Sequence, residues 1–242
     1  MRSEPRREGS WFGHSGDLGD IIYALPTIRA AGGGDLMLYH KPGRTTHGMD
    51  EQRVAAIKPL LEIQPYIKRV IWCPHGHEDH NLNGFRDHHQ PGRNIADMHL
   101  ATHGFNSDAR HAKWLSVDFT TELQPVIFCR SERYQNGQFP WKRVWKQYRH
   151  SAVFLGGAGE HERFCVECGH VPFRETANLL EAARIIAGAK LCVANQSVLH
   201  AIAEGLKHNT ILEVCPSQPN CIFERIGKLN GWNENIELPA LD

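Results

Sequence analysis

The chain has 242 residues, of which 41% are hydrophobic, and its 27 basic residues balance its 27 acidic residues to a formal net charge of zero. Length and apolar content suffice for one large or two small domains, and the zero charge excludes a global attraction to nucleic acid or to an anionic membrane. No apolar run reaches the roughly 18 residues of a membrane span, and residues 1–10 lack the hydrophobic stretch of a signal peptide, so we expect a cytoplasmic protein without a membrane span.

The cysteines agree with that compartment. Seven is an odd number, and Cys73, Cys129 and Cys192 lie inside apolar runs that are typical of strands. Cysteines in such runs are usually buried and reduced. We therefore expect free thiols and no disulfide framework.

The first half of the chain alternates between apolar strand patterns and helical spacings. In chain order these are a strand at 10–15, a helix at 21–30, a strand at 35–40, a helix at 51–61 and a strand at 69–73. Residues 75–94 are polar, rich in histidine and aperiodic, and we predict a long loop there. The alternation indicates a parallel sheet with covering helices.

The second half repeats the alternation with short connections. The patterns predict strands at 124–129, 152–155, 190–194 and 210–214, and helices at 142–148, 178–187 and 198–206. Such an order is typical of a parallel sheet that is covered on both faces. The fold class is therefore α/β, and we place the domain change before residue 124, with domains at 1–123 and 124–242.

Ligands of parallel α/β sheets bind beyond the carboxyl ends of the strands. Three segments follow strands in this way, namely Ser15 to Asp20, Gly156 to Glu160 and Asn195 to Ser197. Glycine turns allow a ligand to come close to the backbone, and helix N-termini offer unpaired amides to phosphate. We expect the site to be built from these segments.

The first segment carries Asp17 and Asp20. Carboxylates repel phosphate, but they are suited to taking a proton from an acceptor hydroxyl, so both are candidate catalytic bases. The small residues of the same loop are candidates for contacting the acceptor or for shaping the loop, namely Ser15, Gly16 and Gly19. The alternative is that an aspartate only caps the helix that begins at Ile21.

The other two segments are candidates for binding a nucleotide. The residues concerned are Gly156, Gly157, Glu160, Asn195, Gln196, Ser197 and Glu204. The amides and the Ser197 hydroxyl at a helix start suit a diphosphate, although helix capping explains the same residues equally well. Glu204 lies within reach of a ribose diol, or it is a solvated surface residue.

A cationic segment directly follows the strand at 124–129. Arg130, Arg133 and Tyr134 lie there, with more basic residues just beyond them. Guanidinium groups suit a pyrophosphate and offset the charge of a leaving nucleoside diphosphate. The alternative is an ordinary solvated loop.

Three stretches resemble the heptosyltransferase family that uses ADP-heptose-type donors. Gly19 to Pro26, GDIIYALP, is similar to the family's opening signature, in which the aspartate is the proposed base, and this residue corresponds to Asp20. Residues 179–206 resemble its second signature, with Ala201 in place of the usual histidine and His200 one position earlier. Residues 130–145 are similar to the segment that contacts the nucleotide phosphates.

The resemblance implies a short, divergent member of a GT-B-like family, with two Rossmann-like domains whose parallel sheets face a central cleft. The N-terminal domain would bind the acceptor and the C-terminal domain a UDP-, ADP- or GDP-linked sugar. Transfer would be inverting, with no cofactor and no metal ion. The acceptor hydroxyl stays open among a glycan, a small metabolite and a modified nucleobase, and the oligomeric state is not predicted.

Three other hypotheses are kept. The run His75-Gly-His-Glu-Asp-His80 matches the zinc signature of metallo-beta-lactamase-fold hydrolases. Cys165 and Cys168, flanked by histidines, are candidates for one structural zinc ion or are ordinary thiols. The third is a silent protein that binds a nucleotide or sugar without turnover.

Overall fold

The computed structural model describes residues 10–41, 48–74, 76, 78–88 and 92–241. Its first half contains four strands and three α-helices within these residues. They are β1 (Trp11–His14), α1 (Leu18–Ala30), β2 (Gly34–Tyr39), α2 (Glu51–Glu62), β3 (Ile67–Cys73), β4 (His80–Asn81) and α3 (Ile95–Thr102), with 3-10 helices at Leu82–His88 and Ser107–Arg110. The strands are parallel in the order β3-β2-β1-β4.

The polar stretch at 75–94 is more ordered than the sequence predicts. His80 and Asn81 pair with Phe12 and Gly13 of β1, and a 3-10 helix follows directly. A two-residue strand has no periodicity of its own, so the loop prediction was wrong for 80–88. Because β4 lies on the other side of β1 from β2, the strand order reverses beside β1, which is where ligands bind in such sheets.

The second half forms a larger sheet. Its elements are β5 (Val126–Cys129), α4 (Trp141–Tyr148), β6 (Ala152–Leu155), α5 (Ala158–Cys168), β7 (Phe173–Arg174), α6 (Leu179–Gly188), β8 (Leu191–Asn195), α7 (Val198–Gly205), β9 (Thr210–Glu213) and β10 (Lys228–Gly231). The strands are parallel in the order β10-β9-β8-β5-β6-β7. This is the order of the dinucleotide-binding fold, with its reversal between β5 and β8.

Helix α5 is a further difference from the sequence prediction, which placed only a glycine turn at 156–159. Of its eleven residues only Phe164 and Cys168 are buried, so its apolar pattern is too sparse to be recognised. By contrast, every residue of β5, β6, β8 and β9 is buried, as expected for strands covered on both faces. The prediction of an α/β fold with two parallel sheets is confirmed.

One hydrophobic core joins the two halves. It contains residues of α1 and α2 from the first half together with α6 and α7 from the second, while a separate cluster around Trp141 and Phe164 covers the other face of the larger sheet. Helices α1 and α7 pack so closely that a Cβ atom on Gly19 would lie 3.8 Å from Val198 Cα. The division at residue 123 falls between the sheets and stays a prediction.

Two further expectations concern the cysteines and the membrane. All seven cysteines are free, and Cys129 and Cys192 are buried, but Cys73 is only half-buried because the last residues of β3 are partly open to solvent. Within the described ranges, none of the helices has the length and apolar content needed to cross a bilayer.

The segment that connects the sheets is docked on the second half. Trp114 and Leu115 donate backbone hydrogen bonds of 3.0 and 2.9 Å to the carbonyl of Gly205, and the amide of Thr121 donates to Arg184 at 3.0 Å. At Gly188 this segment comes so close that a Cβ atom would lie 2.5 Å from the carbonyl oxygen of Thr121. A side chain there would displace backbone.

We therefore expect Gly188→Ala to lower the free energy of unfolding by about 1–3 kcal/mol, as overpacking does, even though alanine favours helix. Urea denaturation measures the change. Gly137→Ala is the matched control, because a Cβ atom at Gly137 meets nothing within 4 Å. Equal unfolding midpoints for the two variants would contradict the close packing of this segment.

Candidate active-site cleft

A cavity of about 990 Å³ opens where the reversal points of the two sheets face each other. The residues predicted from the sequence that line it are Asp17, Gly19, Asp20, Arg130, Arg133, Tyr134, Gly156, Gly157, Glu160, Gln196 and Ser197. Four other predicted residues do not line it, namely Ser15, Gly16, Asn195 and Glu204. The three loops chosen from the sequence thus meet at one place, although not with every side chain.

Asp20 lies in the first turn of α1, and its Oδ2 is 2.5 Å from Nη2 of Arg86. Its side chain is 20% exposed. Burial raises the pKa of Asp20 to about 6, although the Arg86 guanidinium opposes the shift. A carboxylate with such a pKa is ionised at neutral pH and holds a proton more readily than an ordinary aspartate, as a general base requires.

The capping interpretation is partly correct. Helix α1 begins at Leu18 and not at Ile21, and the side chain of Asp17, at the N-cap position, makes no capping hydrogen bond. The Asp20 carboxylate accepts a hydrogen bond from the Asp17 backbone N–H, which lowers the pKa of Asp20. Capping thus orients Asp20 and does not compete with its position in the cleft.

Asp17 connects the two walls of the cleft. Its Oδ2 accepts a hydrogen bond of 3.1 Å from Nη1 of Arg133, beyond β5, and its Oδ1 lies 3.6 Å from Nη1 of Arg53, in the first half. Arg133 is 36% exposed and its guanidinium lies 5.2 Å from the ring of Tyr134. Both aspartates are paired with arginine, Asp17 with two and Asp20 with Arg86, and the raised pKa of Asp20 makes it the better candidate base.

Ser15 and Gly16 shape the loop before α1 from behind. The backbone and hydroxyl of Ser15 both donate to Oδ1 of Asn83 at 2.9 Å, and Gly16 donates to Nδ1 of His14 at 2.8 Å. A Cβ atom on Gly16 would lie 2.9 Å from Oδ2 of Asp20, so only glycine leaves room for this carboxylate. Ser15 and Gly16 support the loop and do not line the cavity, and a contact of theirs with the acceptor stays a prediction.

On the opposite wall, Asn195 is buried and holds the loop that carries Arg133. It accepts from the Ser131 amide at 2.9 Å and donates to the carbonyls of Ser131 and Arg133 at 3.0 and 2.6 Å. Its polar atoms face the loop, and the contact of Asn195 with a nucleotide stays a prediction. It acts as a positioning residue.

Gln196 and Ser197 differ in whether their side chains are free to bind a ligand. The Gln196 amide lines the cleft, but it accepts from the Cys215 amide at 2.8 Å and donates to the Gln218 carbonyl at 2.7 Å. Ser197 is the N-cap of α7, and its Oγ accepts from His200 at 3.4 Å. This long bond leaves the hydroxyl able to contact a ligand at the helix start.

Arg130 lies in the cleft wall but its charge is already neutralised. Its Nε is 3.1 Å from Oε2 of Glu213, and Nη1 also pairs with Glu167. Glu213 additionally accepts from Nε1 of Trp141 at 2.7 Å and from the Asn136 amide at 2.6 Å. Arg130 thus anchors the loop, and Arg133 is the better candidate for phosphate.

The glycine turn after β6 also carries a carboxylate. Oε2 of Glu160 accepts from the Gly157 amide at 2.7 Å, and a Cβ atom on Gly156 would lie 2.8 Å from the same oxygen. Gly156 has a φ of 151°, which glycine tolerates best. Since Glu160 occupies the start of α5, this helix is a poor phosphate site, and the phosphate prediction passes to α7.

The prediction for Glu204 is wrong. Its side chain is fully buried behind α7, and its partners are Lys207 at 2.8 Å, Arg225 at 3.0 Å and Lys228 at 3.8 Å. It therefore neither reaches a ribose nor faces solvent. Both faces of α7 are covered, so a charged residue on it had to find buried partners.

Sequence reasoning missed Arg86, Arg53, Tyr23 and His14. Arg86 was part of the predicted loop, and nothing in the local pattern distinguishes it from a solvated arginine. Burial, with a contribution from Arg86, lowers the pKa of His14 to about 3, so the ring is neutral beside the ion pair. Arg86 reaches Asp20 because β4, directly before its 3-10 helix, pairs with β1.

The metal-binding hypotheses gain no support. His75 and His77 lie outside the described residues, and Glu78 beside them accepts from Tyr39 at 2.8 Å. On α5, Sγ of Cys165 lies 3.2 Å from Nε2 of His161, but this nitrogen also lies 2.8 Å from the carbonyl oxygen of Val171. Among the residues that the structure describes, no group of three or more potential ligands is arranged to hold a metal ion.

Comparison with known proteins places this fold. No protein-family model matches the sequence, and no curated protein matches it. Solved structures do match. A glycosyl transferase family 9 protein from Veillonella parvula is 13% identical with a TM-score of 0.57, over 87% of this chain and 82% of its own.

Two Escherichia coli structures match over 91% of their own lengths. ADP-heptose LPS heptosyltransferase II is 15% identical over 92% of this chain, with a TM-score of 0.56. Heptosyltransferase WaaC, solved with ADP-2-deoxy-2-fluoro heptose, is 12% identical over 90% of this chain, with a TM-score of 0.52. The expected GT-B-like fold of the heptosyltransferases is thereby confirmed, and at these identities the likeness shows the fold alone.

The pair of Asp20 and Arg86 gives a direct test of the site. We expect the Asp20 carboxyl to titrate near pH 6, and Arg86→Gln to move its midpoint upward, because losing a neighbouring cation disfavours the charged carboxylate. Carbon-13 NMR of the aspartate carboxyl groups measures both midpoints. Arg53→Gln is the control, since Arg53 pairs with Asp17; an unchanged midpoint in Arg86→Gln would refute the pairing.

Proposed function

We propose that this chain is an inverting glycosyltransferase that moves a sugar from a nucleoside diphosphate to an acceptor hydroxyl. The observation that carries this proposal is the composition of the cleft. One wall presents Asp20, a carboxylate whose pKa is raised to about 6, and the other presents Arg133 and the start of α7. A base opposite an anion site suits transfer to a hydroxyl with loss of a diphosphate.

The donor binds to the second half in this proposal. The first amides of α7 and the Ser197 hydroxyl receive the diphosphate, and Arg133 exchanges the Asp17 carboxylate for phosphate oxygens. Such an exchange retains a charge-assisted hydrogen bond at every stage. ADP-linked sugars are the first candidates, because WaaC was solved with one, followed by UDP- and GDP-linked sugars.

The chemical step requires one base. Asp20 takes the proton from the acceptor hydroxyl while the hydroxyl oxygen forms a bond to the anomeric carbon, and the bond to the diphosphate breaks with both electrons going to the phosphate oxygen. This single displacement inverts the anomeric centre. Arg86 holds the carboxylate in place, and Arg133 with the α7 amides stabilises the leaving group, so the scheme includes no metal ion.

The two substrates are assigned to the two halves of the chain that form the walls of the cleft. Residues 1–123 carry the acceptor and residues 124–242 the donor in this proposal. A glycan, a small metabolite and a modified nucleobase remain acceptor classes, since the cavity of about 990 Å³ has room for a nucleotide sugar and part of an acceptor. The seven free thiols support the proposal that the protein acts in a reducing compartment such as the cytoplasm.

The first experiment is calorimetric titration of the chain with ADP, UDP and GDP, followed by assay of diphosphate release from their sugar conjugates with acceptors of the three classes. We expect one diphosphate to bind and Asp20→Asn to reduce turnover by roughly 10²–10⁴-fold, the usual contribution of a general base, with little change in nucleotide affinity. Asp118→Asn, an exposed carboxylate paired with Arg184, is the control.

The alternative hypotheses give other results. A silent binding protein would bind a diphosphate and release none from any sugar conjugate. A zinc hydrolase would contain bound zinc and ignore nucleotides. Retention of the anomeric configuration in the product, read by proton NMR, would contradict the inverting scheme. Loss of activity on dialysis against EDTA would contradict its independence of metal ions.

The pH profile is a separate prediction. Because the base must be ionised, kcat/KM should rise with pH through about 6, the pKa of Asp20, and fall away below it. Arg86→Gln should move this acidic limb to higher pH, since Arg86 lowers the pKa of the carboxyl. An acidic limb that stays in place in Asp20→Glu and Arg86→Gln alike would assign the titration to another group.

A further inference from the structure

A chain of buried polar side chains joins α1 to α7 beside the cleft. Oη of Tyr23 lies 2.8 Å from Nδ1 of His200. The other ring nitrogen of His200 contacts Nζ of Lys228, on β10, and this Nζ is 3.8 Å from Oε2 of Glu204. None of the four residues is more than 8% exposed, so their polar atoms need partners within the protein.

The charge of Lys228 fixes the direction of these hydrogen bonds. Burial lowers the pKa of Lys228 to about 8, against the effect of Glu204, so its ammonium group persists at neutral pH. Burial also lowers the pKa of His200 well below its usual value, and its ring is neutral. An ammonium group only donates, so Nε2 of His200 accepts and the ring hydrogen is on Nδ1.

The Tyr23 hydroxyl consequently accepts from His200 and must direct its own hydrogen elsewhere. Burial raises the pKa of Tyr23 well above its usual value, so the hydrogen is retained. Its partner there is the Cys221 thiol: burial raises the pKa of Cys221 to about 12, and the hydrogen bond with Tyr23 opposes this shift. A thiol sulfur is a weak acceptor, and both residues line the cleft.

The position of Tyr23 indicates which ligand atom would replace the thiol. Tyr23 follows Asp20 by one turn of α1, and its partner His200 lies in the first turn of α7, where its backbone N–H meets Ser197. The hydroxyl therefore lies next to the helix start that attracts an anion. A phosphate oxygen is a far better acceptor than a thiol.

We propose that the Tyr23 hydroxyl donates a hydrogen bond to a phosphate oxygen of the nucleoside diphosphate bound at the start of α7. His200 and Lys228 are positioning residues, which act by directing this hydroxyl into the cleft. The inference rests on the proposed function, because it assumes the diphosphate site at α7, and it adds to that site a donor from the first half of the chain.

The test compares Tyr23→Phe with the wild-type chain in calorimetric titrations with ADP, UDP and GDP. We expect affinity for the diphosphate that binds the wild type to fall by about 10- to 100-fold, as loss of a hydrogen bond to a charged group does. Tyr148→Phe is the matched control, since Tyr148 is also buried but donates to the Pro239 carbonyl at 2.6 Å.

A second variant tests the direction of the hydrogen bonds from Lys228 through His200 to Tyr23. In Lys228→Gln the amide NH2 donates to the Glu204 carboxylate, which only accepts, and the amide oxygen is left to accept from Nε2 of His200. The ring hydrogen then moves to Nε2, Nδ1 becomes the acceptor and the Tyr23 hydroxyl turns away from the cleft. We expect Lys228→Gln to lose as much affinity for the diphosphate as Tyr23→Phe does, although residue 228 is separated from Tyr23 by His200. Lys228→Arg should keep most of the affinity, because arginine only donates.

The tautomer is measurable without any variant. Nitrogen-15 NMR of the wild-type chain should show the hydrogen of His200 on Nδ1, and a hydrogen on Nε2 would overturn the inference. So would a folded Tyr23→Phe that binds the diphosphate as the wild type does. Failure of the wild type to bind any of the three diphosphates would instead overturn the proposed function.

Discussion

Helix α1 begins against the first turn of α7, and this contact sets the separation of the two walls of the cleft. A Cβ atom on Gly19 would lie 3.8 Å from Val198 Cα, which is an ordinary van der Waals distance, so the two helix starts are in direct contact. Each helix follows the strand at which its sheet reverses order, so the contact brings together the two places where a parallel sheet binds ligands. The hydrophobic core behind it is continuous between the halves, and the position of Asp20 relative to Ser197 depends on it.

The charges of the cleft are arranged as pairs. Asp20 faces Arg86, Asp17 faces Arg133 and Glu213 faces Arg130. The pairs differ in burial, and this difference decides their roles. Glu213 is fully buried and shared with Trp141, so that pair holds the loop, whereas Arg133 is partly exposed, and the proposed function has it exchange its carboxylate for phosphate.

The chemistry of the cleft was predictable where the signal was local. Asp20 and Ser197 both follow a strand and lie at the start of the next helix, so their positions in the sequence predicted that both belong to one site, and both line the cleft. Asn195 and Glu204 carried the same kind of signal, yet their side chains turn inward to the Ser131 loop and to Lys228. The sequence does not encode which way a polar side chain near a strand end points, because that depends on what packs behind it.

The sequence by itself determined the alternation of strands and helices, the α/β class and the loops that meet at the cleft, because apolar periodicity and glycine turns act over a few neighbouring residues. Only the tertiary structure decided that Arg86 reaches Asp20, that β4 closes the first sheet and that His200 links Tyr23 to Lys228. Arg86 is 66 residues from Asp20 and His200 is 177 from Tyr23. Contacts at such separations follow from the packing of whole elements, which no local pattern records.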